Sequence, residues 1–484
     1  MSPTIKRFAA FACSVSLAML ASACATVGPN FERPAAPTAT GYAAPGEAAP
    51  VLGSKTMGPW WMAFNSPELD AVIRQALADN PSLAEADATL AQAQSALAQA
   101  RGQAGPQASA SAGINRQRAN LQAFGFTSFG DVTLSNPTFN LYSVGSDIGY
   151  DLDLFGGKRR GIEGAAARAE AQGWRADAAY LSLTANVAMQ AATIASLQGQ
   201  IAAVERMIEA DDATIVLVRK ANALGGSTAL AKVSADSQLE QDRQLLPPLQ
   251  GQLAAARHAL ALLVGRAPAD WAVPDFSLER MAFLNATPVE LPSALVRKRP
   301  DILAVEADLR AATADIGVAT ADLYPNIKLN ASITQGALKA GDIFSYDASA
   351  WDLGAGLTAP LFNGGALKAR RQQAREAAKA ASARYQMTVL TAFGQVADAL
   401  SDLSANQALI EANDRATAQA GERLRLARVA YRGGGGTLLE ILEAQRTLGA
   451  LGVDKARAQG QRLTDTVRLF VASGADWRSP PTGV

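Results

Sequence analysis

The second half of this chain repeats the first, and a duplication of that kind limits the fold to two copies of one structural unit. Residues 80–114 lie over residues 299–333 without a gap, with Pro81 on Pro300 and Pro106 on Pro325. Further on, LFGG at 154–157 matches LFNG at 361–364, and LVRKA at 217–221 matches LARVA at 426–430.

In each copy the apolar period changes in the same order. Helical spacing begins at WWMAF (60–64) and continues through Leu69, Val72, Ile73, Ala76 and Leu77 to AsnPro at 80 and 81. A second helix runs to GlyPro at 105 and 106, after which the period becomes two. Four strands are expected, at about 107–116, 141–155, 326–335 and 349–362, each with one apolar and one polar face. Tyr142, Val144 and Ile148 alternate with Ser143, Gly145 and Asp147; Trp351, Leu353 and Leu357 alternate with Asp352, Gly354 and Gly356. Strands of about 9 to 11 residues suffice to cross a bilayer when tilted. Aspartates in line on one face suit a water-filled lumen, and Tyr142 and Trp351 on the other face suit an interfacial aromatic belt. Four strands cannot close a barrel and open edges are not tolerated in lipid, so the chain must assemble with copies of itself.

Each strand pair is followed by a helical run, Lys158 to Ala223 and Ala366 to Arg432, long enough at 1.5 Å per residue to extend about 100 Å. Apolar residues step by three and four through Ile194, Leu197, Ile201, Val204 and Ile208, and through Val389, Phe393, Val396, Leu400 and Leu403. The tips at Gly225, Gly226, Ser227 and Thr228, and at Gly433, Gly434, Gly435, Gly436 and Thr437, turn each run back into a returning helix. The fold class expected is α+β, with an internal two-fold repeat. The segments are 58–265 for the first repeat, 266–292 between the repeats, 293–473 for the second repeat, and a tail at 474–484.

Composition excludes several functions. The 44 basic and 44 acidic residues balance, so net charge implies neither nucleic acid nor an acidic polymer as partner. The single histidine, His258, has no cysteine partner and builds no usual metal site. The glycine runs lack the GKS or GKT of a phosphate loop. Convergent catalytic groups are absent from the pattern, so no enzyme and no cofactor is expected. Lys158, Arg159 and Arg160, echoed by Lys368, Arg370 and Arg371, read either as a solvated helix face or as contacts to inner-leaflet headgroups.

The N terminus carries Lys6 and Arg7, an apolar run from Phe8 to Leu20, and LASAC ending at Cys24, the pattern of a secretory signal over 1–23. The end of that run resembles a bacterial lipoprotein cleavage box, with Ala21 where leucine is commonest. The resemblance implies Cys24 as the first mature residue, bearing N-palmitoyl and S-diacylglycerol groups. Ala25, in place of aspartate, favours the outer membrane. Removal of 1–23 also removes Cys13 and with it any intrachain disulfide. Residues 24–57, rich in Ala, Pro and Gly, read as an extended tether.

Taken together, CATVGPNF at 24–31, WWMAF at 60–64, RPDILAVEADL at 299–309 and YRGGGGTLLEILEAQ at 431–445 resemble the outer membrane factor family, the TolC and OprM type of exit duct. LLPPL at 245–249 with LLVGRAP at 262–268 resembles its NodT-like branch of efflux lipoproteins. The resemblance implies a homotrimeric outer membrane β-barrel, four strands per chain and twelve in total, continued by a long periplasmic α-helical barrel. It also implies passive export of small toxic compounds, driven by an inner membrane pump of the RND type through a periplasmic adaptor. The fold equally serves a type I protein secretion duct, and long helices alone would suit a periplasmic coiled-coil scaffold. Tyr431, Glu440 and Glu443 match positions that the family places at its periplasmic aperture, and the two tips match its adaptor-contacting turns. The arginine with which some members lock the tip is replaced by Gly436, so closure is expected to depend on Tyr431 and the adaptor more than on ion pairs. The first outer loop is longer than the second and carries Leu121, Phe124, Phe126 and Phe129, a cluster expected to converge over the external mouth.

Overall fold

The computed structural model describes residues 26–35, 41–42, 59–120, 128–129, 132–133, 136–223, 227–281 and 295–474. Cys24, Gly225, Gly226 and most of the first outer loop lie outside the described residues; of that loop, Ser128–Phe129 pairs with Val132–Thr133. Two compact units divide the chain. One gathers the described part of Met1–Arg33 with Ala91–Ala171 and Glu306–Arg384, and the other the described parts of Pro34–Leu90, Gln172–Val305 and Tyr385–Val484.

The first unit is built on β1 (Gln107–Arg118), β2 (Thr138–Asp151), β3 (Asn326–Ala337) and β4 (Ser349–Thr358), ordered β1-β2-β3-β4 and antiparallel throughout. At 12, 14, 12 and 10 residues, the first and third strands are longer than expected and the second and fourth shorter. The second and fourth strands end before Leu152, Leu154, Ala359 and Leu361, although Leu152 still donates its N–H to Ile327 O at 3.0 Å. Pairing places Ser109, Asp147, Ser332 and Asp352 in one row across all four strands, and Ala108, Ile148, Ala331 and Leu353 in the adjacent row. Because side chains alternate between faces, this register keeps the polar rows through Asp147 and Gly149 on one face and the apolar rows through Ile148 and Tyr150 on the other. A one-residue slip in any pair would mix them.

Within the segment read as an extended tether, residues 26–35 are docked on the chain. Val27 N–H donates to Phe155 O at 3.1 Å, Arg33 pairs with the buried Glu306 at 2.7 Å, and Arg310 lies 5.3 Å over the Phe31 ring. Gly28, at φ +93°, sits where a Cβ would meet Gly317 Cα at 2.5 Å, a close approach that only glycine permits.

The rest of the described chain is helical, and four of its helices have residues in both units. α1 (Pro67–Asp79) is capped by Ser66, and α2 (Pro81–Ala104) follows at once because Asn80 is extended ahead of Pro81. α3 (Gly157–Ala223) and α7 (Ala366–Arg432) are the two long helices, 67 residues each. Between them lie α4 (Ala229–Arg243), α5 (Leu246–Leu263) and α6 (Pro300–Ala321). α8 (Leu438–Ala472) returns the second hairpin as one 35-residue helix. The first return is divided at Gln244 and Leu245, because Pro247 and Pro248 cannot donate the helical N–H bonds that would bridge it. The core gathers Trp60, Trp61, Phe64, Ile73, Ile194, Leu260 and Phe470, with Trp60 and Phe470 rings 5.5 Å apart.

α3 and α8 run antiparallel on a seam of small side chains: Ser196 opposes Gly460, Gly199 opposes Ala456, and Ala203 opposes Gly452. Ser196 Oγ donates across it to Ala456 O at 3.2 Å.

Candidate functional site

The expected site residues fall at the two hairpin tips. At the first, Thr228 caps α4, its Oγ1 accepting from Ala231 N–H at 3.1 Å, and Asn222 Nδ2 donates to Ser227 O at 2.8 Å. At the second, Gly433 N–H donates to Val429 O and Gly435 N–H to Ala430 O, both at 3.0 Å, closing the end of α7 through Gly434 at φ +77°. A Cβ at Gly436 would stand 3.0 Å from the backbone nitrogen of Tyr431, so the tight turn leaves little room for a side chain there.

Thr437 and Glu440 form a capping box on α8: Thr437 Oγ1 accepts from Glu440 N–H at 3.3 Å, and Thr437 N–H donates to Glu440 Oε2 at 3.0 Å. The Glu440 carboxylate therefore already has a structural task. Glu443 is exposed and pairs with Arg423 across the hairpin at 3.5 Å, an ion pair that sequence reasoning did not anticipate. Tyr431 packs against two buried clusters, one containing Ile215, Val218 and Leu442 and the other Leu424 and Ile441. It belongs to the packing of the tip as much as to its surface.

On the sheet, the polar face is knitted across strands. Ser109 Oγ donates to Asp147 Oδ1 at 2.6 Å and Asn330 Nδ2 to Asp352 Oδ1 at 2.8 Å. The opposite face is open, with Leu353 76% and Trp351 79% exposed in the single chain. A surface this apolar is suited to lipid.

Of the basic residues at the first strand-to-helix junction, Arg160 departs from both sequence readings. Lys158 pairs with Asp151 at 3.0 Å and Arg159 with Asp153 at 3.4 Å. Arg160 is only 4% exposed and donates to Asn30 Oδ1 at 2.7 Å, to Val27 O at 3.3 Å and to Gly28 O at 3.4 Å. It is neither a solvated face nor a headgroup contact; it grips the lead-in segment. In the second repeat Arg370 pairs with Asp322 at 2.8 Å. A run of three cations gave no hint of this, because the partners lie some 130 positions away in sequence.

The sequence model of the outer membrane efflux protein family matches residues 72–266 and 291–475. The chain belongs to the outer membrane efflux protein family. It is 31% identical over 469 residues to the pyoverdine export outer membrane protein OpmQ of Pseudomonas aeruginosa, covering 96% of this chain and 98% of that one. It is 28% identical to nodulation protein T of Rhizobium leguminosarum bv. trifolii, covering 94% and 96%. Among solved structures, the outer-membrane channel OprN superposes with a TM-score of 0.85 at 28% identity, covering 94% of this chain and all of that one. The fold class expected from the sequence holds: the chain has the fold of the family's homotrimeric channels, with four strands per chain and long helical hairpins. The family is one of transport ducts rather than enzymes.

Proposed function

We propose that this chain is the outer membrane exit duct of a tripartite efflux system, a passive channel fed by an inner membrane pump of the RND type through a periplasmic adaptor. The observation that carries the reading is the single unbroken register that sorts four strands into one polar and one apolar face, with β1 and β4 left as open edges. In lipid those edges must be paired, and three copies of four strands give a closed twelve-stranded barrel with aspartates inside. OpmQ is named for the export of pyoverdine, which supports a small compound as cargo over a protein. The two tips, with Thr228 and Thr437 fixing the helix starts, are the parts suited to meet the adaptor.

The purified protein in a planar bilayer should conduct ions as discrete channels; a preparation that assembles yet never conducts would overturn the duct reading. Three copies of Glu440 and Glu443 would give two rings of carboxylates at the periplasmic entrance, which would draw cations. Glu440→Gln with Glu443→Gln should therefore lower cation selectivity and weaken block by multivalent cations. A side-chain amide at position 440 can still accept the capping hydrogen bond from Thr437 N–H, so the helix start and assembly should survive. Unchanged selectivity would place these acids outside the conduction path.

Cys24 is the proposed lipid acceptor. Replacing it with alanine should abolish acyl labelling and change the mass of the mature N terminus, while assembly is weakened rather than lost because the strands still insert. Persistent labelling of the variant would refute the assignment.

A further inference from the structure

Two carboxyl groups lie inside the first helical hairpin, and among the described residues no ion pair reaches either. Asp211 on α3 and Asp242 near the end of α4 are each 2% exposed, and they face one another at hydrogen-bonding range. Asp242 Oδ1 accepts from Gln238 Nε2 at 3.0 Å. Asp211 Oδ2 and Asp242 Oδ2 have no donor among the described residues.

The surrounding charges are engaged elsewhere. Arg243 on α4 pairs with Glu240 at 2.8 Å and with Asp212 at 3.5 Å, and Arg219 on α3 pairs with Asp236 at 2.8 Å. From α8 the facing side chain is the neutral Gln445, which donates to Ala210 O at 3.1 Å and accepts from Thr214 Oγ1 at 3.1 Å. The charged residues flanking it on α8, Glu443 and Arg446, are exposed.

Two buried carboxylates at this range cannot both ionise without a heavy desolvation and Coulomb cost. A single shared proton removes one charge and supplies the missing hydrogen bond. We propose that Asp211 and Asp242 form a one-proton clasp that ties α3 to α4 and loosens the tip of the first hairpin when the proton leaves. Burial foremost, then hydrogen bonding to Asp242 and the charges of Asp242 and Asp212, push the Asp211 carboxyl up to about 7. Since the folded value lies above the ordinary 3.8, the stabilisation is complete at low pH, declines as pH rises, and is gone above about pH 7. That sign is opposite to the acid lability of paired carboxylates. The clasp is a property of the hairpin and stands or falls independently of the duct reading.

Hydrogen–deuterium exchange on the assembled full-length protein tests it, with rates corrected for the intrinsic pH dependence and the second hairpin as internal reference. Between about pH 5.5 and 8, peptides from 205–223 and 229–243 should gain about 30-fold in corrected exchange, a factor of ten for each of the roughly 1.5 units between pH 5.5 and the folded value of about 7, while those from 420–448 should not. Asp242→Asn supplies a permanent donor to Asp211 and should abolish the response, as should Asp211→Asn. Equal responses in both hairpins, or a response in Asp242→Asn equal to that of the unmodified protein, would overturn the clasp. If neither variant assembles, the contrast between the two hairpins of the unmodified protein decides alone.

Discussion

Arginine in place of Leu353 should nearly eliminate assembled channel from the outer membrane, while arginine in place of Ser332 should leave it close to normal. Both residues sit mid-strand in adjacent rows, Leu353 level with Ile148 and Ala331 on the apolar face, Ser332 between Asp147 and Asp352 on the polar face. Arginine at a bilayer midplane costs about 2–4 kcal/mol on the lipid face, which is roughly 30- to 1000-fold in an equilibrium constant for each chain. Three copies insert together, so the penalties compound. A guanidinium at 332 instead joins two carboxylates in a wet lumen. Heat-modifiable trimer on a gel of isolated outer membranes reads both outcomes, and equal recovery of the two variants would mean that the faces are assigned the wrong way round.

Valine at Gly460 should be the most damaging single change in the helical unit, and alanine at Gly449 should be close to harmless. A Cβ at 460 would stand 2.2 Å from Ser196 Cβ and 3.3 Å from Ser196 Cα, so the α3 backbone itself must retreat. Overpacking of this kind costs about 1–3 kcal/mol even where the core can adjust. Here the retreat also opens the Gly199–Ala456 and Ala203–Gly452 contacts along the same seam. At Gly449 the obstacle is the Met207 side chain, with Sδ at 2.2 Å and Cγ at 2.7 Å, an unbranched thioether that can change rotamer without moving the α3 backbone. Exchanging Gly for Ala inside a helix gains up to about 1 kcal/mol of propensity, which offsets what remains. Thermal unfolding of the purified trimer distinguishes the two. A Gly460→Val protein as stable as Gly449→Ala would show that the seam is not close-packed.

The strands were legible from the sequence because period-two alternation is local: Asp147 and Asp352 could be placed on a polar face before any partner strand was known. The long helices were legible for the same reason, the heptad steps from Ile194 to Ile208 and from Val389 to Leu403 falling on the buried side of α3 and α7. What escaped depends on distant partners. Arg160 looked like one of three surface cations until Asn30 and Val27 came to meet it. The glycines of α8 carry no signal in the sequence, because the Ser196 and Ala203 side chains that fill the space they leave come from another helix. Asp211 and Asp242 have no periodic relation to one another, since a tip and a turn of chain separate them, and only the folded hairpin brings them together. Glu440 was readable from Thr437 three residues earlier as a helix-start acid, and the capping box carries that meaning further than the sequence match to an aperture does.

The division of the first return path at Gln244 and Leu245, against the unbroken α8, makes the duplicated halves mechanically unequal. One tip stands on a solid strut of 35 residues that carries a bending load along a continuous ladder of backbone bonds. The other stands on two shorter struts, 15 and 18 residues long, meeting at a proline joint that breaks that ladder. A partner pressing equally on the two tips would therefore meet unequal resistance from them.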